Sequence, residues 1–320
     1  MATFIGRRYI AAMEPAKSSV SRATLLIIAS ALSFGSISVL TVLITRSGLP
    51  LITAMAWRYI VASGVLLGIT GIRQLRRVAS GKLVGLLIIG GSGQALITYL
   101  SLHALQYISV GPLAFLFYTY PAWVTLLAAI RGAERLTPVS VAALSLAMIG
   151  VTVIVGLRTT EKLNPIGVTL ALASALLYSV YLPLLSHFQH RVPAFVATFL
   201  VALGAGISFV LVAAFGKQLY FPSAPAVWSN ILILALVSTV IAFSTLIKGL
   251  SVLGPVRTSI IATVEPFFTA ILGVAILGNA LTITMLIGGV FIATAVLVIQ
   301  WNSVRLGITG EQPVADVQPR

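Results

Sequence analysis

Apolar residues run through this chain in long blocks, and polar residues fall between them. A helix that crosses a lipid bilayer needs about 20 mostly apolar residues. Ten stretches approach that length: residues 23–45, 51–72, 83–105, 108–130, 137–157, 165–186, 192–215, 226–250, 252–277 and 281–300. Arg46, Gly48 and Pro50 end the first stretch, and a basic link with Arg73, Arg76, Arg77 and Lys82 follows the second. Residues 158–164 form a polar link after the fifth, and a longer link with Lys217, Pro222 and Pro225 follows the seventh. The pattern predicts an all-α integral membrane protein with ten transmembrane helices. It divides into an N-terminal tail (1–22), a first five-helix unit (23–157), a linker (158–164), a second five-helix unit (165–300) and a C-terminal tail (301–320). The first residues lack the apolar core of a signal peptide and are expected to be a poorly ordered cytoplasmic tail.

The two units echo each other. A shift of 145 positions lays residues 104–137 on 249–282 without a gap. Pro121 then falls on Pro266, and Leu136-Thr137 falls on Leu281-Thr282. Ser30-Ala31-Leu32 in the first stretch is matched by Ser174-Ala175-Leu176 in the sixth. Leucine matches carry little weight in so apolar a chain. The proline and the Leu-Thr pair carry more, because each keeps its depth within its stretch. The two prolines predict helices that bend at corresponding depths.

Composition and charge agree with a membrane location. The chain is 59% hydrophobic and only 8% charged, where a soluble domain carries roughly a quarter charged residues. Its 20 Lys and Arg against 6 Asp and Glu would point to nucleic acid in a soluble protein. Here the excess is read as the enrichment of Lys and Arg in cytoplasmic loops. With the N-terminus inside, inner segments hold Arg7, Arg8, Lys17, Arg22, Arg73, Arg76, Arg77, Lys82, Arg131, Arg135, Arg191, Lys248, Arg305 and Arg320. Outer segments hold Arg46, Arg158, Lys162 and Lys217. Both termini are therefore expected in the cytoplasm. Five helices per unit is an odd number, so the second unit is expected to be inverted relative to the first. Inverted repeats place a substrate site near the bilayer midplane, between the halves. The chain has no Cys, which excludes disulfides and thiol chemistry.

Several motifs resemble those of the drug/metabolite transporter superfamily, in its EamA-type branch of ten-helix permeases. They are Trp57-Arg58-Tyr59, Ala104-Leu105-Gln106-Tyr107, Tyr120-Pro121, the run Gly132-Ala133-Glu134-Arg135-Leu136-Thr137-Pro138, Glu265-Pro266 and Leu281-Thr282. The resemblance covers roughly residues 23–301. It departs from the family pattern at Tyr120, where an acid often precedes the proline, and at Asn279 and Ala280, where Glu and Arg would repeat. The resemblance implies a secondary transporter working by alternating access across the plasma (bacterial inner) membrane. Export of an amino acid or related metabolite is the favoured activity. An organic-anion or sugar-phosphate exchanger using Arg58, Lys248 and Arg257 is the alternative within the fold, and a non-transporting membrane scaffold the alternative outside it. The expected partners are a small solute and the bilayer, with no nucleic acid and no cofactor. Proton coupling and a homodimer stay open.

Few residues could carry chemistry. Glu265 is the only acid at membrane depth, about 13 residues and roughly 20 Å along the ninth stretch. An ionisable group there is a functional candidate by default. It is read as a substrate ligand and coupling site, or as a structural partner for the carbonyl that Pro266 frees. Arg58 lies about 10 Å into the second stretch. It could grip a carboxylate bidentately, or snorkel to outer headgroups beside Trp57. Lys248 and Arg257 lie near helix ends and are read chiefly as snorkelling or topology groups. His103 is read as interfacial, and no His, Asp or Cys is spaced to make a metal site with it. Tyr99, Tyr118, Tyr120, Tyr178, Tyr181 and Phe243 lie well inside stretches. Of these, Tyr99, Tyr118, Tyr178 and Phe243 join Arg58 and Glu265 as the expected cavity lining. Gln94, Thr98 and Ser101 share one face of the third stretch, and Ser30, Ser33 and Ile37 one of the first. Gly85, Gly90, Gly91, Gly93, Gly204 and Gly206 are expected to permit close helix packing. No paired carboxylates lie at membrane depth, and the glycines of residues 89–94 fall inside a spanning segment, so they make only a weak likeness to a phosphate-binding loop.

Overall fold

The computed structural model describes residues 17–130, 137–156, 163–189 and 192–305. The turn motif at 132–136, the cations Arg131, Arg158, Lys162 and Arg191, and most of both tails lie outside them. Every regular element among the described residues is helical. That is what a bilayer dictates, because a helix satisfies its own backbone groups where no water can.

The first unit holds α1 (Lys17–Gly35), α2 (Ile37–Arg46), α3 (Leu51–Thr70), the short α4 (Ile72–Leu75), α5 (Ser80–Ile88), α6 (Ala95–His103), α7 (Val110–Phe117), α8 (Tyr120–Ile130) and α9 (Pro138–Gly156). The second holds α10 (Pro165–Gln189), α11 (Ala194–Phe215), α12 (Pro225–Ala235), α13 (Ala242–Ala262), α14 (Glu265–Leu277) and α15 (Ile283–Arg305). Among the described residues, six segments are long and apolar enough to cross a membrane: Ser21–Arg46, Leu51–Thr70, Ser80–Gln106, Pro165–Gln189, Ala194–Phe215 and Pro225–Leu250. Val141–Ile154, Glu265–Leu277 and Ile283–Val298 are shorter apolar helices.

Breaks recur at matching depths. Turn residues 118–119 divide α7 from α8, and residues 263–264 divide α13 from α14. The two breaks are 145 positions apart, and each precedes its proline by two residues. A proline ring clashes with the carbonyl four residues upstream and offers that carbonyl no N–H, so the helix yields in the preceding turn. Two six-residue π segments, Ile89–Gln94 and Leu236–Ile241, interrupt the third and eighth stretches at similar depth.

The expected separation near residue 251 takes another form. Helical backbone runs continuously over Ala242–Ala262. Yet the chain doubles back within it. Ser36 Oγ lies 2.7 Å from Ser238 Oγ. A Cβ on the adjacent Gly35 would sit 2.9 Å from Thr269 Oγ1 and 3.5 Å from the Glu265 carbonyl. A straight helix from 238 to 265 would span about 40 Å, so it could not meet the end of α1 at both positions. The reversal stays helical because an apolar run in lipid has no better way to satisfy its backbone. Gly249 fits there because a side chain would run into Ile27, 2.5 Å from its Cβ position.

Packing pairs the units reciprocally. The second stretch lies along the seventh (α3 on α11), the fifth along the tenth (α9 on α15), and the fourth on the ninth (α7 on α14). The first lies on the eighth and ninth (α1 on α13 and α14), as the sixth lies on the third and fourth (α10 on α6, α7 and α8). Glycines also bring backbones together between the seventh and third stretches: a Cβ on Gly204 of α11 would lie 2.1 Å from the Leu87 carbonyl of α5.

Candidate functional site

A cavity of about 170 Å³ lies where α1, α2, α3, α6, α7, α8, α10, α13 and α14 meet, so both units form its wall. Of the residues expected to line it, Arg58, Tyr118, Tyr178, Phe243 and Glu265 do. Gln94, Thr98 and Ser101 also face it from their shared stripe, and Ser30 and Ile37 from theirs.

Tyr99 does not. It sits one residue, about 100°, off the Gln94–Thr98–Ser101 stripe. Its ring stacks on His103 instead, with centroids 5.2 Å apart and planes 14° from parallel. Tyr181 packs behind Tyr178 at 5.8 Å, and its buried hydroxyl has no hydrogen-bond partner. Ser33 is buried outside the cavity wall.

Arg58 is 2% exposed, which excludes the snorkelling alternative. Its Nε donates to Thr239 Oγ1 at 2.8 Å, and its Nη2 to the Ser238 carbonyl at 3.2 Å. Both acceptors belong to the second π segment. Thr239 Oγ1 in turn reaches the Leu234 carbonyl, five residues upstream, at 3.2 Å. Nη1 meets only the Met55 thioether, at 3.8 Å, a weak acceptor. The cation also lies 5.0 Å over the Tyr59 ring. Glu265 is the only acid among the described residues, and it makes no ion pair with Arg58. The cavity wall therefore holds a fixed guanidinium with its charge unpaired by any described carboxylate.

Glu265 opens α14, immediately after the break. An acid suits a helix N-terminus, where unpaired backbone N–H groups leave partial positive charge. Its Oε2 lies 2.8 Å from the Tyr118 hydroxyl, which lies 2.8 Å from the Ala262 carbonyl as well. Ala262 stands four residues before Pro266, so this is the carbonyl that the proline frees. The structural and the cavity-facing readings of Glu265 thus meet at one group.

Aromatic rings complete the wall. Tyr178 meets Tyr120 at 4.8 Å and Phe117 at 5.3 Å. Phe34 meets Phe243 edge-on at 4.9 Å. Phe34, Ser38, Phe117 and Thr269 carried no signal in the sequence. Among 14 phenylalanines in so apolar a chain, nothing local separates a cavity ring from a packing ring. Lys248 is exposed and does not line the cavity, and the Arg257 side chain lies outside the described residues. No group of three metal-ligating side chains occurs among the described residues.

The family comparison fits this architecture. Residues 21–156 and 165–301 each match the EamA-like transporter family. The chain belongs to that family and is a multi-pass membrane protein. Among curated proteins, none matches it. One solved crystal structure, of a protein 21% identical in sequence, superposes with a TM-score of 0.62 over 89% of this chain and 99% of its own. At that identity the likeness bears on the fold alone.

Proposed function

We propose that the protein is a secondary transporter that exports an amino acid or related small metabolite across the plasma membrane, the inner membrane of a bacterium. Its ten spans form two inverted five-helix repeats that rock about the central cavity. Reciprocal packing of the units, matched breaks at 118–119 and 263–264 and matched π segments support the repeat. The excess of Lys and Arg in alternate loops supports cytoplasmic termini.

One observation carries the reading: both halves close on a single cavity that holds a buried, acid-free guanidinium and a carboxyl at a helix break. A fixed cation in a low-dielectric wall favours a solute that brings a carboxylate. Glu265 supplies the opposite pole for an amine, and the aromatic rings contact the rest. The volume is below the roughly 300–1,000 Å³ of sites for drug-sized ligands, which favours a small solute. A sugar-phosphate exchanger is less favoured, because Lys248 adds no second cation to the wall. Glu265 is assigned as the proton-coupling group.

Uptake of a labelled solute panel into proteoliposomes, with and without a pH gradient, tests this. An amino acid should accumulate in response to the gradient. Glu265→Gln should abolish that response while solute binding stays measurable, weakened by the lost contact to the amine. No flux of any solute through folded protein would favour the scaffold reading. A full gradient response in Glu265→Gln would remove Glu265 as the coupling group.

A further inference from the structure

The Tyr118 hydroxyl faces two acceptors with one proton. It lies 2.8 Å from the Ala262 carbonyl oxygen and 2.8 Å from Glu265 Oε2. A phenol donates one hydrogen bond and accepts others. If Glu265 were a carboxylate, it would compete with the carbonyl for that single proton. All three oxygens are satisfied together only when Glu265 carries a proton of its own. Oε2 then donates to Tyr118 Oη, and Tyr118 donates to the Ala262 carbonyl.

We propose that Tyr118 is the positioning residue of the coupling site, linking a protonated Glu265 to the helix break at 263–264. The inference rests on the reading of Glu265 as the coupling group. Proton loss gives a carboxylate and a proton released to water in the cavity. The carboxylate then takes the Tyr118 hydrogen, because a charge-assisted bond is the stronger one. The Ala262 carbonyl is left without its partner. Pro266 has no N–H to offer it, so the carbonyl must find a new donor in cavity water or in a shifted backbone. Proton loss at Glu265 therefore favours a rearranged break, and so a different relation of the fourth and ninth spans. The other charged or titratable groups in the cavity wall are Arg58 from α3, Tyr120 from α8 and Tyr178 from α10. From α1 and α2 only hydroxyl and apolar groups face it. Arg58 donates to Thr239 and Ser238 and makes no ion pair with Glu265.

Infrared difference spectroscopy on the full chain in bilayers at neutral pH tests the proposal. Wild type should show a carboxylic-acid C=O band that Glu265→Gln lacks and that shifts on exchange into heavy water. Tyr118→Phe keeps the ring beside Tyr120 and removes only the shared hydroxyl, so it should move that band in frequency. Absence of a Glu265-dependent band in wild type overturns the proposal, as does a band that Tyr118→Phe leaves unmoved. If Tyr118→Phe does not fold, the wild-type band and its response to heavy water still decide. The coupling reading fails separately, when the band is present but transport ignores the pH gradient.

Discussion

Arg58 shows how a single side chain can be set by the backbone opposite it. The guanidinium is anchored on Thr239 Oγ1 and the Ser238 carbonyl, both in a π segment. Lysine would keep the charge but lose the planar fork that makes both contacts. Charge-assisted hydrogen bonds contribute about 1.5–3 kcal/mol each. Losing one predicts a rise in solute Kd of roughly 10- to 100-fold in Arg58→Lys. Titration of purified protein with the transported solute measures it, and an unchanged Kd would take Arg58 out of the binding site. Arg58 and Glu265 were visible in the sequence because ionisable groups are rare at membrane depth. Tyr118, Tyr178 and Phe243 were visible as rings well inside spans. Tyr99 looked the same, and only its angular offset from the polar stripe excludes it. Phe34 and Phe117 had no distinguishing context at all.

At the scale of elements, legibility depended on whether the cause was local. The breaks before Pro121 and Pro266 follow from a rule about one residue type, and the sequence located them. The first π segment falls on the glycine-rich residues 89–94, which attracted notice for another reason. The second, Leu236–Ile241, contains no glycine or proline and gave no warning. The reversal within Ala242–Ala262 was legible as the boundary between the eighth and ninth stretches near residue 251, but its continuous helical backbone was not. Close packing, by contrast, was announced by small residues, and it can be tested. A Cβ on Gly204 would lie 2.1 Å from the Leu87 carbonyl and 2.7 Å from the Gly91 amide nitrogen. Backbone atoms cannot rotate away as a side chain would, so α11 and α5 must separate. Overpacking of this kind destabilises by about 1–3 kcal/mol. Gly204→Ala should lower the thermal unfolding midpoint, while Gly64→Ala, which meets nothing within 4 Å, should not. Equal midpoints for the two variants would mean that the contact between α5 and α11 contributes little to stability.

For the whole molecule, the decisive property is which loops share a side of the membrane. Three spans separate Ser80 from the linker at 158–164 in the proposed topology, so the two must lie on opposite sides. In that topology five more follow to the C-terminus, an odd number that would invert the second half. The reversal inside Ala242–Ala262 falls where the sequence pattern separates its eighth and ninth stretches. The proposed topology requires the eighth and ninth spans to turn on the cytoplasmic side, with no non-helical loop to mark the turn. The absence of Cys makes the test clean, because any introduced thiol is the only one in the chain. Ser80 and Val252 are exposed, and Thr160 lies in the linker. A membrane-impermeant thiol reagent applied to intact cells should label Thr160→Cys and leave Ser80→Cys and Val252→Cys unlabelled. Opening the membrane should expose the latter two. Labelling of Ser80→Cys in intact cells would reverse the orientation that the Lys and Arg distribution supports. Labelling of Val252→Cys alone would place the turn between the eighth and ninth spans outside. The second half would then no longer mirror the first, and the inverted repeat on which the transport reading depends would lose its support.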